Sequence, residues 1–238
     1  MASKIVSDSQ RDTSDLRVTF GVGARSVSGL LRSPAQSHAC VVLAHGAGAG
    51  MSHPAMETLA AGLAERHFAT FRYQFPYMEE GGRRPDPPRV AHATVRAAVA
   101  EASRLMPDAP LIAGGRSFGG RMTSQAQAAS PLAGVRGLVV FAFPLHPPKQ
   151  ISGERGAHLS GVHIPMLFLQ GGRDAMADPH ELSRLIERLG DSATLKVLAD
   201  ADHSFHVPAR SGKTDRDIMD EALDALVEWF ERTILNKG

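Results

Sequence analysis

A serine surrounded by glycines is the first part of the sequence that suggests chemistry. Ser117 lies in the stretch Gly115-Arg116-Ser117-Phe118-Gly119, which matches G-x-S-x-G between an apolar run and a helix-like run. A serine hydroxyl is a poor nucleophile, so it must project from a sharp turn that a base and a substrate reach from opposite sides. Glycines permit the close backbone contacts of such a turn because they lack a Cβ. We therefore predict that Ser117 is a nucleophile.

Such a serine needs a base and an acid, and the sequence has a candidate for each directly after an apolar run. Asp174 closes the motif Gly-Gly-Arg-Asp after the run MLFLQ, and His203 follows the run TLKVL by a few residues. In a triad the imidazole takes the proton of the hydroxyl, and the carboxylate orients the imidazole and stabilises its charged form. The predicted catalytic residues are Ser117, Asp174 and His203.

Each of these candidates has a competitor nearby in the sequence. His206 lies close to His203, but an aspartate directly before His203 and its nearness to the strand end favour His203. Asp178 follows Asp174 by four residues and directly precedes Pro179. An aspartate before a proline is typical of a helix N-cap, so we expect Asp178 to cap a helix.

Acyl chemistry also requires donors for an oxyanion, and two backbone amides are candidates. The N–H of Phe118 opens the helix after the serine, and that of Ala47 lies in the loop AHGAGAG, residues 44–50. This loop also resembles a dinucleotide fingerprint. That alternative fits poorly, because Met51 stands where the third glycine belongs and no acid ends the next strand to bind a ribose.

The elements that must position these residues alternate between short apolar runs and stretches with helical periodicity. The pattern predicts strands at about 16–20, 24–32, 40–44, 69–73, 110–114, 137–143, 166–171 and 194–198. It predicts helices at about 53–66, 88–106, 118–129, 179–189 and 215–235. Continuously apolar strands are typical of a parallel sheet covered on both faces. The expected fold class is therefore α/β, with a mostly parallel central sheet of about eight strands and a minimal cap.

Composition limits the remaining possibilities. The 238 residues are 43% apolar and carry 26 basic against 25 acidic side chains, a balance that suggests neither nucleic acid nor a membrane surface as partner. We expect one domain over residues 16–238 after a flexible polar lead-in, residues 1–15. No signal segment is recognisable, so a cytoplasmic location is the default. The single cysteine, Cys40, is expected to be a small buried apolar residue.

Two loops have compositions that allow functional readings. Residues 75–89 hold four prolines and a charged cluster, which predicts a loop that either is solvated or forms a rim of the site. The second connection holds His146, His158 and His163, but their spacing fits no compact zinc pattern. We interpret these histidines as scattered surface residues and expect no metal.

The four motifs and their order resemble the α/β-hydrolase superfamily, and more narrowly its small, lidless, dienelactone-hydrolase-like branch. The segments that carry the resemblance are HGAG, GGRSFGGR, GGRD and DHSF, and it spans about residues 16–235. It implies Ser117 as nucleophile, His203 as base and Asp174 as orienting acid, with Phe118 and Ala47 as amide donors. Dienelactone hydrolases use cysteine at the position of Ser117, so a dienelactone is not implied as substrate.

The expected activity is hydrolysis of a small or moderate-sized carboxylic ester, or thioester, through an acyl-enzyme that needs no cofactor. The short insertion after residue 140 leaves too few residues for a large helical cap, which favours an open site. The alternative is a non-catalytic binding module that keeps the fold, because a fold alone does not guarantee chemistry. The sequence leaves the natural substrate and the oligomeric state open.

Overall fold

A computed structural model describes residues 15–235 and places eight strands in one sheet. The order across the sheet is β1-β2-β4-β3-β5-β6-β7-β8. Strands β1 and β2 pair antiparallel, β2 pairs antiparallel with β4, and all other neighbours are parallel. The strands are β1 Leu16–Val22, β2 Arg25–Arg32, β3 Ala39–Ala44, β4 Phe68–Tyr73, β5 Leu111–Arg116, β6 Val135–Phe141, β7 Met166–Gly171 and β8 Ala193–Leu198.

Six α-helices within the described residues cover the sheet. They are α1 Pro54–Glu65, α2 Pro76–Glu79, α3 Pro88–Leu105, α4 Phe118–Ala129, α5 Pro179–Leu189 and α6 Asp215–Phe230. Apolar side chains of α3, α4 and α5 pack in one core cluster, and those of α1 and α6 pack in a second. The two clusters lie on opposite faces of the sheet, since consecutive residues of a strand point to opposite faces.

Strand β3 illustrates why the central strands are continuously apolar. Cys40 and Val42 belong to the cluster with α3 and α4, whereas Val41 and Leu43 belong to the cluster with α1 and α6. Every residue of β3 is buried, so no position tolerates a charged side chain. Cys40 is fully buried, which confirms the expectation of a small buried apolar residue, and burial raises the pKa of its thiol to about 12.

The predicted fold class is confirmed, including the eight strands, their mostly parallel order and helices on both faces. The connection between β6 and β7, residues 142–165, carries one 3₁₀ helix at Glu154–Gly161 and no larger cap. The prediction that residues 75–89 form a loop is partly wrong, because the short helix α2 lies within this segment. The predicted lead-in, residues 1–15, lies outside the described residues except for its last residue.

No helix between residues 15 and 235 has both the length and the apolar character needed to cross a lipid bilayer.

Candidate active site

Ser117 occupies the turn between β5 and α4 and has an unusual backbone. Its φ of 49° and ψ of −114° lie outside the regions that non-glycine residues normally adopt. The turn is held from both sides, because the N–H of Ser117 donates to Phe141 O at 2.9 Å and the N–H of Arg121 donates to Ser117 O at 3.0 Å. The side chain therefore projects from the C-terminal edge of the sheet.

The glycines of the motif are needed because the turn packs tightly against the end of β3. Gly115 has a φ of 155°, and a Cβ on it would collide with the backbone of Ala44. A Cβ on Gly119 would lie 2.5 Å from the carbonyl oxygens of Ala44 and His45. Backbone atoms cannot move aside as a flexible side chain can, so any side chain larger than glycine's would displace the serine.

His203 lies in the loop after β8 and reaches the serine. The distance from His203 Nε2 to Ser117 Oγ is 2.8 Å. The loop is shaped by Asp202, whose Oδ1 accepts from the N–H groups of Ser204 at 2.7 Å and His206 at 3.0 Å. The imidazole is thus held in a tight turn rather than on a free loop, with about a quarter of its side chain exposed.

Asp174 lies in the loop after β7 and contacts the other nitrogen of the imidazole. Its Oδ2 is 2.7 Å from His203 Nδ1 and accepts from Gln170 Nε2 at 2.6 Å, while its Oδ1 accepts from the N–H of Met176 at 2.8 Å. The carboxylate is fully buried. A buried carboxylate with three donors is fixed in place, which suits it to orient the imidazole.

The loop after β3 lies against the serine, as its predicted role requires. A Cβ on Gly46 would lie 3.7 Å from Arg116 O and 4.0 Å from Ser117 Cβ. None of the hydrogen bonds found among residues 15–235 uses the backbone N–H of Ala47 or Phe118 as donor. These two amides are therefore free to face an oxyanion beside Ser117.

His45 fixes the shape of that loop. The sequence showed only that a histidine precedes Gly46, which did not indicate this role. Its Nε2 accepts from the N–H of Phe75 at 3.1 Å, so the proton is on Nδ1, which lies 2.8 Å from Gly46 O. Burial lowers the pKa of His45 to about 4, against a smaller opposing effect of the Gly46 carbonyl. The neutral ring ties the loop to the segment before α2.

We predict that this histidine makes stability depend on pH. An unfolded histidine protonates near pH 6.5 but His45 only near 4. Its contribution to the free energy of unfolding is therefore complete above about pH 6.5 and declines by about 3 kcal/mol as pH falls towards 4. The free energy of unfolding, measured with denaturant at several values between pH 4 and 8, should depend less steeply on pH in His45→Gln than in the wild type. Equal slopes would contradict the assignment.

The two competing residues lie elsewhere in the structure. His206 is largely exposed, and its Nδ1 is 2.9 Å from Asp215 Oδ2 rather than near Ser117. That carboxylate raises the pKa of His206. Asp178 accepts from the N–H groups of His180 at 3.0 Å and Glu181 at 3.1 Å, which confirms it as the N-cap of α5.

The interpretation of His146, His158 and His163 as surface residues is wrong for the first two. His146 is buried and accepts at Nε2 from the N–H of Asp178 at 2.8 Å. His158 is half-buried, and its Nε2 is 2.8 Å from Ser124 Oγ. Only His163 is exposed. The sequence could not reveal this, because both partners are distant along the chain.

The contact between Ser124 and His158 is a second serine–histidine pair, but it lacks the features of a triad. Ser124 is fully buried, and its hydroxyl lies 3.0 Å from Arg121 O as well as 2.8 Å from His158 Nε2. No carboxylate among the described residues is hydrogen-bonded to His158. Burial lowers the pKa of His158 to about 4, and the nearby Arg121 adds to this shift.

A pocket of about 410 Å³ opens above the serine. Its wall includes Ser117, His203, Ala47, Met176 and Arg116. The guanidinium of Arg116 donates to His203 O at 3.3 Å and lies 5.7 Å from the centre of the Phe205 ring. Within residues 15–235, no group of three or more metal-binding side chains is placed to hold a metal ion.

Several solved structures have a similar fold. A dienelactone hydrolase from Anabaena variabilis has a TM-score of 0.74 at 20% identity, with 92% of this chain and 97% of that chain covered. A serine hydrolase without a lid from Xanthomonas campestris has a TM-score of 0.69 at 20% identity, covering 91% and 96%. An esterase domain from Rhodothermus marinus has a TM-score of 0.69 at 15% identity, covering 92% and 98%.

A protein-family comparison gives the same result at the level of sequence. Residues 37–231 match the family described as the alpha/beta hydrolase domain. The match covers most of the chain and agrees with the resemblance that the four motifs indicated. The protein therefore belongs to the alpha/beta hydrolase family.

Proposed function

We propose that the protein is a serine hydrolase that cleaves a small or moderate-sized carboxylic ester, or thioester, through an acyl-enzyme. Ser117 is the nucleophile, His203 the base and Asp174 the orienting acid. The observation that carries the proposal is the unbroken hydrogen-bonded series from Asp174 Oδ2 to His203 Nδ1, at 2.7 Å, and from His203 Nε2 to Ser117 Oγ, at 2.8 Å. These distances fall within the range required for proton transfer.

The reaction follows from this arrangement in two halves. Ser117 Oγ attacks the ester carbonyl carbon while its proton passes to His203 Nε2, and the carbonyl oxygen becomes an oxyanion beside the amides of Ala47 and Phe118. The protonated imidazole then gives its proton to the leaving alcohol. A water molecule attacks the acyl-enzyme in the same way and releases the carboxylic acid. No step requires a metal or an organic cofactor.

The openness of the site supports a substrate that reaches the serine without a cap. The connection at residues 142–165, where a cap would be inserted, holds only the short 3₁₀ helix Glu154–Gly161. Without a lid the site excludes little water, so binding depends on the walls of the pocket itself.

An activity-based label tests the assignment of the nucleophile. A fluorophosphonate probe is expected to form a covalent adduct on Ser117, located by mass spectrometry of proteolytic peptides, because it reacts only with a serine activated by a neighbouring base. Labelling should disappear in Ser117→Ala and persist in Ser124→Ala, since Ser124 is fully buried and out of reach of the probe. No adduct, or an adduct on another serine, would overturn the proposal.

A further inference from the structure

A groove between α1 and α6 opens beside the pocket of Ser117. Its volume is about 560 Å³, larger than the pocket itself. Phe205, Met219 and Leu223 form an apolar floor, and all three are buried. The wall formed by α1 has the small residues Ala55 and Ala61 along most of its length and ends at Glu65. Small side chains on one wall and a hydrophobic floor leave a channel that fits an extended apolar group.

The groove and the pocket are neighbours with part of their lining in common. Ala55, Arg116 and Ser204 line both of them. From this junction the groove follows α1 as far as Glu65. At 1.5 Å of rise per residue, the ten steps from Ala55 to Glu65 correspond to a length of about 15 Å. A substrate bound at Ser117 can therefore extend an arm along the groove.

The position of the junction indicates which arm of the ester this is. In the proposed reaction His203 protonates the leaving oxygen, so that oxygen must lie beside His203 Nε2. The groove begins at Ser204, the residue after His203, and at Arg116, which is hydrogen-bonded to His203 O. The groove therefore lies beside the segment that carries His203, the residue that protonates the leaving oxygen. Ala47, Ala49 and Met176 line the pocket but not the groove, which leaves the pocket itself for a short acyl group.

The charged side chains along the groove do not select for either an anionic or a cationic substrate. Its lip carries Glu65, Arg216 and Asp220, so both signs of charge are present. Asp220 is also paired with Arg66, at 3.1 Å. An uncharged apolar group that packs on the floor of the groove, between these charged side chains, fits better than an anion or a cation.

We propose that the groove between α1 and α6 is the leaving-group subsite, and that the preferred substrates join a short acyl group to an extended, largely apolar alcohol. The inference rests on the proposed function, because it uses the role of His203 towards the leaving oxygen. It goes beyond that function by stating which half of the ester is long.

Constitutional isomers test this directly, because they have the same atoms and nearly the same hydrophobicity. Hexyl acetate places its long chain on the alcohol side, and ethyl hexanoate places it on the acyl side. Acid release measured in a pH-stat should give a kcat/KM for hexyl acetate that exceeds that for ethyl hexanoate by roughly tenfold or more, since only the hexyl chain is buried on binding.

A substitution within the groove links the preference to its location. Ala61→Phe fills the channel and should reduce the ratio of kcat/KM for hexyl acetate over ethyl acetate to near one. Ala100→Phe is the matched control, because Ala100 is exposed on α3 outside the groove, and it should leave this ratio unchanged. If Ala61→Phe does not fold, Thr58→Phe serves instead, since Thr58 is an exposed residue on the same wall.

The outcomes separate the two proposals. Hydrolysis of all three esters with no preference for hexyl acetate over ethyl hexanoate overturns the subsite and leaves the proposed function intact. The same is true of a preference that survives Ala61→Phe or Thr58→Phe. Absence of turnover for every ester, together with absence of the fluorophosphonate adduct, overturns the proposed function itself.

Discussion

Replacing Ser117 by alanine is expected to lower kcat/KM for p-nitrophenyl acetate by at least ~10³-fold, because the members of a triad act as a unit. In the structure His203 Nε2 lies 2.8 Å from this hydroxyl, so alanine leaves the imidazole without a nucleophile to activate. The residual rate would come from the remaining polar environment of the pocket. Release of p-nitrophenolate, followed by absorbance, measures the effect.

The control for this substitution is Ser124→Ala, a second serine on the same helix that also contacts a histidine. We expect Ser124→Ala to keep a kcat/KM close to that of the wild type. Circular dichroism and thermal unfolding should show that Ser117→Ala remains folded. Equal slow rates in the wild type and in Ser117→Ala would favour the alternative of a non-catalytic binding module.

Replacing Asp174 by asparagine is expected to lower kcat by roughly 10³- to 10⁴-fold. The Gln170 side chain is fixed, because its Oε1 accepts from the N–H of Phe143 at 2.8 Å, so its Nε2 must donate towards position 174. An asparagine oxygen in the place of Oδ2 can still accept from Gln170 and His203, whereas the amide nitrogen in the place of Oδ1 can no longer accept from the N–H of Met176. The loss would therefore measure mainly the missing negative charge that stabilises the protonated imidazole, together with the lost hydrogen bond from Met176.

Asp178→Asn is the matched control, four residues further along the chain. Asparagine caps a helix about as well as aspartate does, so α5 should remain intact and kcat should stay near the wild-type value. A loss of similar size in both variants would indicate a general disturbance of the loop after β7 and would contradict a specific role for Asp174.

Much of the fold could be predicted from the sequence because the signals are local. Continuous apolar runs such as Cys40 to Ala44 belong to strands buried on both faces, and proline after aspartate identifies the start of α5. The proximity of Ser117, Asp174 and His203 could be predicted as well. Each residue follows a strand, and parallel strands bring their C-terminal ends to one edge of the sheet.

The features that escaped prediction depend on contacts between distant residues. The short helix α2 places the hydroxyl of Tyr77 3.0 Å from the N–H of Gly48, and nothing in its own proline-rich stretch indicates that contact. The burial of His146 depends on a backbone N–H of residue 178. The groove between α1 and α6 is likewise a property of two helices that lie far apart in sequence.

The left-handed backbone at Ser117 has a consequence for how this protein can change over time. A non-glycine residue in such a conformation costs of order 1–3 kcal/mol, which the packing of Gly115 and Gly119 against β3 must outweigh. Selection for durability alone would place glycine at residue 117. In the proposed function, the serine at this position therefore lowers the free energy of unfolding but supplies the reactive hydroxyl. Destabilising substitutions nearby are tolerated only while the rest of the domain is stable enough to keep Ser117 in this conformation.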